Sequence, residues 1–348
     1  MILYMLAQEF ILVAAKESKE TNGVPHAPHA TQAAGKLPGN WPKIDVAPPP
    51  NEEFTKLVDL SKVSKAPVTT NTSKCDTKDP YCYWTCTGCV RNSTDIVLCP
   101  NKLDWGLSFD DGPSEFTDKL LDYLEAEQVL ATFFVVGSRV YERPDILRKA
   151  FKAGHQIGIH TWSHHALTSQ SDETIISELQ WTAAAIKEAI NITPRHMRPP
   201  FGDYDDRVRD ISTQLGYKVA IWDLDTHDWM SSSDKTYQLN WIENNFTQWV
   251  NDPKLRNTGH ISLEHDLYNQ TAARVPLVVP ILKKANYIIK TIASCLGESP
   301  YVEDIDLVES SDIAVKNEDA NSPDPTSTPK SDASLVASDF WSISLGVM

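Results

Sequence analysis

The chain is short of positive charge. Its 348 residues carry 32 Lys and Arg against 47 Asp and Glu, a formal net charge of -15. Without a basic stripe to neutralise phosphates, a nucleic-acid partner is not expected. Long apolar runs are missing as well, and none is long enough to span a bilayer. The nearest approach, Met1 to Ala15, has no basic start and is interrupted by Gln8 and Glu9. It reads as a signal peptide over residues 1–16. No short-period internal repeat occurs.

Cysteine is scarce too, and unevenly placed. Cys75, Cys82, Cys86, Cys89 and Cys99 crowd one stretch, with Cys295 far away. An even number beside other export signs reads as disulfides of open pairing. The rival is a zinc knot at Cys82, Cys86 and Cys89, but it lacks a nearby His and a second Cys-x2-Cys. Asn-x-Ser/Thr acceptors at Asn71, Asn92, Asn191, Asn245 and Asn269 agree with export and glycosylation.

Composition divides the chain. Residues 17–70, with Ala47-Pro48-Pro49-Pro50, read as a low-complexity, extended leader. Residues 71–102 form a Cys-rich segment expected to pack on the core. Residues 298–348 are an acidic Ser/Thr/Pro-rich tail, with Ser322-Pro323-Asp324-Pro325 at its centre. Its end, Leu335 to Met348, behind small residues near Ser331–Ser334, is a candidate GPI-anchor signal, although Asp339 breaks the run.

Between these lies an alternation over residues 103–297. Strands are expected at Leu103–Phe109, Val129–Val136, Gln156–Ile159, Tyr217–Trp222 and Ile261–Glu264. Helices are expected at Phe116–Glu127, Pro144–Ala153, from a cap at Ser171 or Asp172 through Ile190, Arg207–Leu215, Thr236–Val250 and Val275–Ile292. Strand–helix alternation of this length implies an α/β fold with a largely parallel sheet, a barrel or near-barrel.

Chemistry-bearing residues sit just after expected strands, where α/β folds place their sites. Asp110-Asp111-Gly112-Pro113 follows the first strand. Adjacent buried acids repel unless a cation relieves them, and on a regular strand they point apart. One acid for metal and one for proton chemistry is a reading that competes with a plain solvated turn. His160-Thr161-Trp162-Ser163-His164-His165 follows another strand, and four of the ten His fall within 155–165. Histidines four apart share one face of a turn, and two with one Asp make a divalent-metal set. Ordinary core or surface histidines are the alternative. Ser262-Leu263-Glu264-His265-Asp266 offers a His suited to a general acid. In Arg198-Pro199-Pro200-Phe201-Gly202 the prolines carry no N–H, which aims the Phe201 N–H at a bound oxygen. Trp222 to Trp229 is dense in acids and aromatics; a Trp there can stack on sugar or belong to the core.

In this order, the five segments resemble the polysaccharide deacetylase family, the NodB-homology carbohydrate esterases. The matching patterns are Ser108-Phe109-Asp110-Asp111-Gly112-Pro113, His160-Thr161-x-x-His164, Arg198-Pro199-Pro200-Phe201-Gly202, Asp225-x-x-Asp228-Trp229 and Leu263-x-His265. Each alone is weak, and the ordered set is strong. It covers residues 103 to 290 and is most similar to fungal chitin deacetylases. Ser108 stands where Thr is commoner, and Phe201 where Tyr is commoner; neither departure removes a group the reaction needs.

The resemblance implies a distorted (β/α) barrel. It implies Asp110 as catalytic base, with Asp111, His160 and His164 holding a divalent metal, usually Zn2+, with Co2+ as an alternative. It implies Arg198 as the orienting partner of Asp110 and the Phe201 N–H as an oxyanion donor. Trp229 and Leu263 would line an acetyl pocket, and His265 would be the general acid, tuned by Asp228. The expected partner is chitin or another N-acetylglucosamine polymer, met by a secreted or cell-surface monomer whose only membrane attachment is a GPI anchor. Peptidoglycan and acetylated xylan are alternative substrates. A non-catalytic wall-glycan binder needs neither Asp110 nor His265. A two-His-one-carboxylate iron oxygenase is disfavoured by the extra acid before Asp111.

Overall fold

The structure is a computed structural model that describes residues 35–70 and 78–304. The expected signal peptide, the first part of the leader, Asn71, Cys75, residues 305–348 of the expected tail and with them the GPI-anchor segment lie outside the described residues, whereas residues 298–304, expected to belong to that tail, are held on the body by the buried Tyr301 and the Glu298–His196 pair. Among the described residues no helix is long and apolar enough to cross a membrane.

Among the described residues nine strands form one sheet: β1 (Asp95–Ile96), β2 (Asp104–Asp110), β3 (Thr132–Val135), β4 (Gln156–Ile159), β5 (His196–Met197), β6 (Lys218–Ala220), β7 (Leu224–Asp225), β8 (His260–His265) and β9 (Ile288–Lys290). The order is β1-β6-β5-β4-β3-β2-β8-β7, with β9 also on β2. Every ladder between them is parallel. The sheet curls into the expected distorted barrel, and residues 218–225 run across its seam. There the Ile221 N–H donates to Ile96 O and the Asp223 N–H to Ile261 O. All seven residues of β2 are buried, as a central strand covered on both faces requires.

Helices cover the outside: α1 (Glu52–Thr55), α2 (Thr117–Ala126), α3 (Gly137–Glu142), α4 (Pro144–Lys152), α5 (Asp172–Ile190), α6 (Asp206–Gln214), α7 (Trp241–Asn251) and α8 (Val275–Lys284). The boundaries of α5 match the sequence expectation. Ser171 Oγ accepts from the Thr174 N–H, and Asn191, at φ 56°, closes the end in the left-handed region that Asn tolerates.

Two expectations are corrected. The helix expected over Val275–Ile292 stops at Lys284. Asn286 turns the chain at φ 63°, and the β-branched Ile288 and Ile289 join β2 as β9. A short apolar run does not by itself distinguish buried helix from strand. The second correction concerns residues 35–70, which are bound rather than free. They carry α1, capped by Asn51, and bury Leu37, Val58, Val63 and Ala66.

Cys82 pairs with Cys89 and Cys99 with Cys295, and Cys86 is disulfide-bonded as well. Sulfurs tied in disulfides offer no thiolates, so the zinc knot is ruled out. Of the glycan acceptors, Asn92, Asn191 and Asn269 are exposed. Asn245 is half-buried and donates its amide to Thr226 O, which makes it a poor acceptor.

The Cys99–Cys295 bond closes a separation of 196 residues. Replacing both cysteines by Ala is expected to lower stability by about 2–5 kcal/mol, read as a fall in Tm under non-reducing conditions. An unchanged Tm would mean that the bond is not a structural clamp.

Candidate active site

The expected site residues meet at the carboxyl ends of the parallel strands. Asp110 is the last residue of β2, level with Phe134 on β3 and His265 on β8. His160 follows β4, Arg198 follows β5 and Asp228 follows β7. Asp111 adopts φ 80°, which ends the alternation of the strand. Its carboxylate therefore turns to the same side as that of Asp110. His160 Nε2 lies 3.5 Å from Asp111 Oδ1 and 3.7 Å from Asp110 Oδ2.

Asp111, His160 and His164 form the group that could hold a metal ion, with one donor atom from each inside a 4.8 Å span. All three are buried. His160 donates from Nδ1 to the Arg198 carbonyl at 2.7 Å, which leaves its Nε2 as a lone pair. His164 Nε2 is 3.0 Å from Asp111 Oδ1, yet that oxygen has no well-formed hydrogen bond. A lone pair facing a buried carboxylate is repulsive, and a cation between them relieves it. The donor set therefore fits a divalent metal. Burial would raise the Asp111 carboxyl, but the neighbouring imidazoles, His164 first and then His160 and His265, outweigh it, so it lies well below the ordinary carboxylate range.

The histidine loop is strained. Thr161 and His164 have φ of 62° and 58°, a region that costs non-Gly residues about 1–3 kcal/mol each. Its surroundings hold it. The His164 N–H donates to Thr161 Oγ1. The Gly137 and Ser138 N–H groups opening α3 donate to the Thr161 and Trp162 carbonyls. Glu178, from α5, accepts from the Trp162 and Ser163 N–H groups at 2.7 and 2.9 Å and from the Ser163 hydroxyl.

On the other side of Asp110, Arg198 is fully buried. Its Nη1 donates to Asp110 Oδ1 at 2.7 Å and to Ser108 Oγ at 2.9 Å, and its Nε donates to Ala220 O. The guanidinium sits 4.2 Å from the Phe134 ring centroid. Removing one member of such a buried pair typically costs about 3–5 kcal/mol. Only Oδ1 of Asp110 is taken up in this way, so Oδ2 faces the metal corner.

Opposite stands His265. Its Nδ1 donates to Asp228 Oδ1 at 2.6 Å, and its backbone N–H donates to Asp228 Oδ2 at 2.9 Å. Burial would lower this imidazole, but Asp228, then Asp111 and Asp110, push it up to about 10. A cation held at Asp111 would act in the opposite direction. Leu263, two residues earlier on β8, is buried. Trp229 and Phe201 are 39% and 61% exposed, an open aromatic rim. The Phe201 ring lies 4.7 Å from that of His164.

Residues 98–220 match the family model described as polysaccharide deacetylase. The chain is 42% identical over 324 residues to chitin deacetylase 1 of Cryptococcus neoformans var. grubii, covering 81% of this chain and 68% of that protein. The chain belongs to the polysaccharide deacetylase family. A chitin deacetylase of Amylomyces rouxii is 35% identical over 235 residues, covering 65% of this chain and 55% of that one. Thus the chain spans little more than half the length of that second relative. Among solved structures, the chitin deacetylase of Colletotrichum lindemuthianum aligns with a TM-score of 0.56 at 29% identity, covering 61% of this chain and 96% of that one.

Two residues around the site are not among those expected from the sequence. Arg139 is buried and donates from Nη1 to the Asp111 carbonyl at 2.5 Å. It lies in α3, which no periodicity announced. Glu178 did leave a signal, because it sits among Ile175, Ile176 and Leu179 on the apolar face of α5. A carboxylate on a buried stripe needs partners.

Asp228→Asn is expected to bring the His265 pKa of the metal-free protein down from about 10. Burial, which favours the neutral ring, would then have less to oppose it. Histidine ring-proton NMR titration reads the change. A titration that the substitution does not move would refute the Asp228–His265 coupling.

Proposed function

We propose that this deacetylase hydrolyses the N-acetyl groups of N-acetylglucosamine units in chitin, giving chitosan and acetate. The observation that carries the reading is the joint presence of Asp110, clamped on one oxygen by Arg198, and His265, clamped by Asp228, on two sides of one metal-ligand corner. A glycan-binding protein has no use for that pair. The names of the relatives, chitin deacetylases from fungi, support the polymer.

Asp111, His160 and His164 would hold the cation, with Zn2+ preferred for its affinity for His and carboxylate donors and Co2+ as a substitute. When bound, such a cation polarises an amide carbonyl and acidifies water. Asp110 Oδ2 accepts the proton of the attacking water, while Arg198 fixes the carboxylate plane. The Phe201 N–H donates to the charge growing on the acetyl oxygen. Leu263 and Trp229 line the space for the acetyl methyl. His265 then gives a proton to the departing nitrogen. The C–N bond breaks as the acetyl C=O re-forms, and acetate, carrying the oxygen of the attacking water, and a free amine leave.

Residues 103–297 are proposed as the catalytic unit, with the Cys-rich segment braced on it. Trp84 of that segment packs where a Cβ on Gly202 would stand, and Thr85 Oγ1 donates to Gly202 O. Secretion to the cell wall or surface is the compartment supported by the disulfides and the fungal relatives.

The purified chain is expected to release acetate from chitin oligomers, to stop after chelation and to recover with Zn2+ or Co2+. Asp110→Asn should lower kcat about 10²–10⁴-fold, the range for a lost general base. Wild-type kcat in that variant would sink the assignment. A parallel assay on acetylxylan and peptidoglycan fragments decides the polymer: faster release from either would replace chitin. Activity should fall at high pH as His265 loses its proton, and Asp228→Asn should bring that fall to lower pH. An alkaline limb that stays in place would remove His265 as the acid.

A further inference from the structure

The reaction reading leaves residues 35–70 without a task. They lie outside the matched family region, 98–220. Yet they touch the metal-ligand loop directly, through Trp162, midway between His160 and His164.

The main chain of Trp162 is held from the body of the protein, its N–H by Glu178 and its carbonyl by the Ser138 N–H. The side chain is held by the N-terminal strap. Trp41 stacks on the Trp162 indole, with ring centroids 6.0 Å apart and planes 6° from parallel. Trp162 Nε1 donates to the Lys43 carbonyl at 2.9 Å. Trp162 is fully buried. The strap in turn is fastened on both sides of this contact. The Leu37 N–H donates to Tyr141 O, the Asn51 N–H to Ser177 Oγ, and Ser64 bonds Asp210 through its N–H and hydroxyl. Trp41 also packs edge-on against Trp181 of α5 at 5.8 Å.

A loop with two non-Gly residues in the left-handed region keeps that shape only where its surroundings over-determine it. Close packing makes Trp162 a rigid lever on its own backbone. A Cβ on Gly137 would meet its ring at 2.8 Å, so the indole has no room to shift on that side. Trp41 closes its stacking face.

We propose that Trp41 is a positioning residue: by bracing Trp162 it holds His160 and His164 in the geometry that binds a divalent cation. The inference rests on the reading of Asp111, His160 and His164 as metal ligands. It assigns the N-terminal strap a part in metal affinity that the ligands alone do not reveal.

The test uses the full chain, stripped of metal and titrated with Zn2+ by calorimetry. Trp41→Ala is expected to weaken binding about 10–100-fold, the usual effect of removing support behind a ligand. In the metal-free protein, amide hydrogen exchange over residues 160–165 should quicken. At limiting metal kcat should drop with KM unchanged, and excess Zn2+ should restore kcat. Trp41→Phe keeps a stacked ring and should recover most of the affinity, which also covers an Ala variant that fails to fold. Val63→Ala opens a buried position elsewhere in the strap and measures ordinary destabilisation. Wild-type affinity and exchange in Trp41→Ala, or equal weakening in Val63→Ala, would overturn the proposal. Failure of the wild-type chain to bind Zn2+ would instead remove the metal reading beneath it.

Discussion

Three donor atoms, Asp111 Oδ1, His160 Nε2 and His164 Nε2, converge in a buried corner where hydrogen bonding leaves the carboxylate oxygen unsatisfied. Low dielectric makes that arrangement costly for the protein alone and favourable once a cation sits among them. Most of the local structure is explained by the need to keep these atoms together. Asp111 takes a left-handed backbone to turn inward, His160 spends its other nitrogen on the Arg198 carbonyl, and the histidine loop bends through two more left-handed residues.

The parallel sheet makes this affordable. Each strand ends at the same rim, so residues far apart in sequence reach one point without long loops. Arg198 links two corners: its carbonyl fixes His160 and its guanidinium fixes Asp110. Asp228 acts similarly on His265, through both the ring and the backbone. The proposed base Asp110 and the proposed metal ligand His160 are therefore connected through Arg198, and a substitution there would disturb both together.

Much of this was legible in the residues, because the site uses charged and imidazole groups that a core avoids, each just after a strand. The alternation that predicts a parallel barrel was equally plain. Two limits were physical. Hydropathy could not separate Ile288–Lys290 from the preceding helix, since Ile288 and Ile289 continue the apolar character of that segment in the sequence. Proline and polar content made residues 35–70 resemble a free leader, although Leu37, Trp41 and Val63 among them pack on the body. Sparse apolar anchors in polar sequence do not produce a period. Asp110 and Asp111 also both approach His160 Nε2, against the expectation for a regular strand, because the strand ends between them.

The coordination of the bound ion tests the account most directly. X-ray absorption on the Zn2+-loaded chain should show two imidazole nitrogens and carboxylate oxygen at about 2.0–2.2 Å. Removing His160 should delete one imidazole from that shell. A spectrum with sulfur ligands, or one unaltered in His160→Ala, would contradict this site.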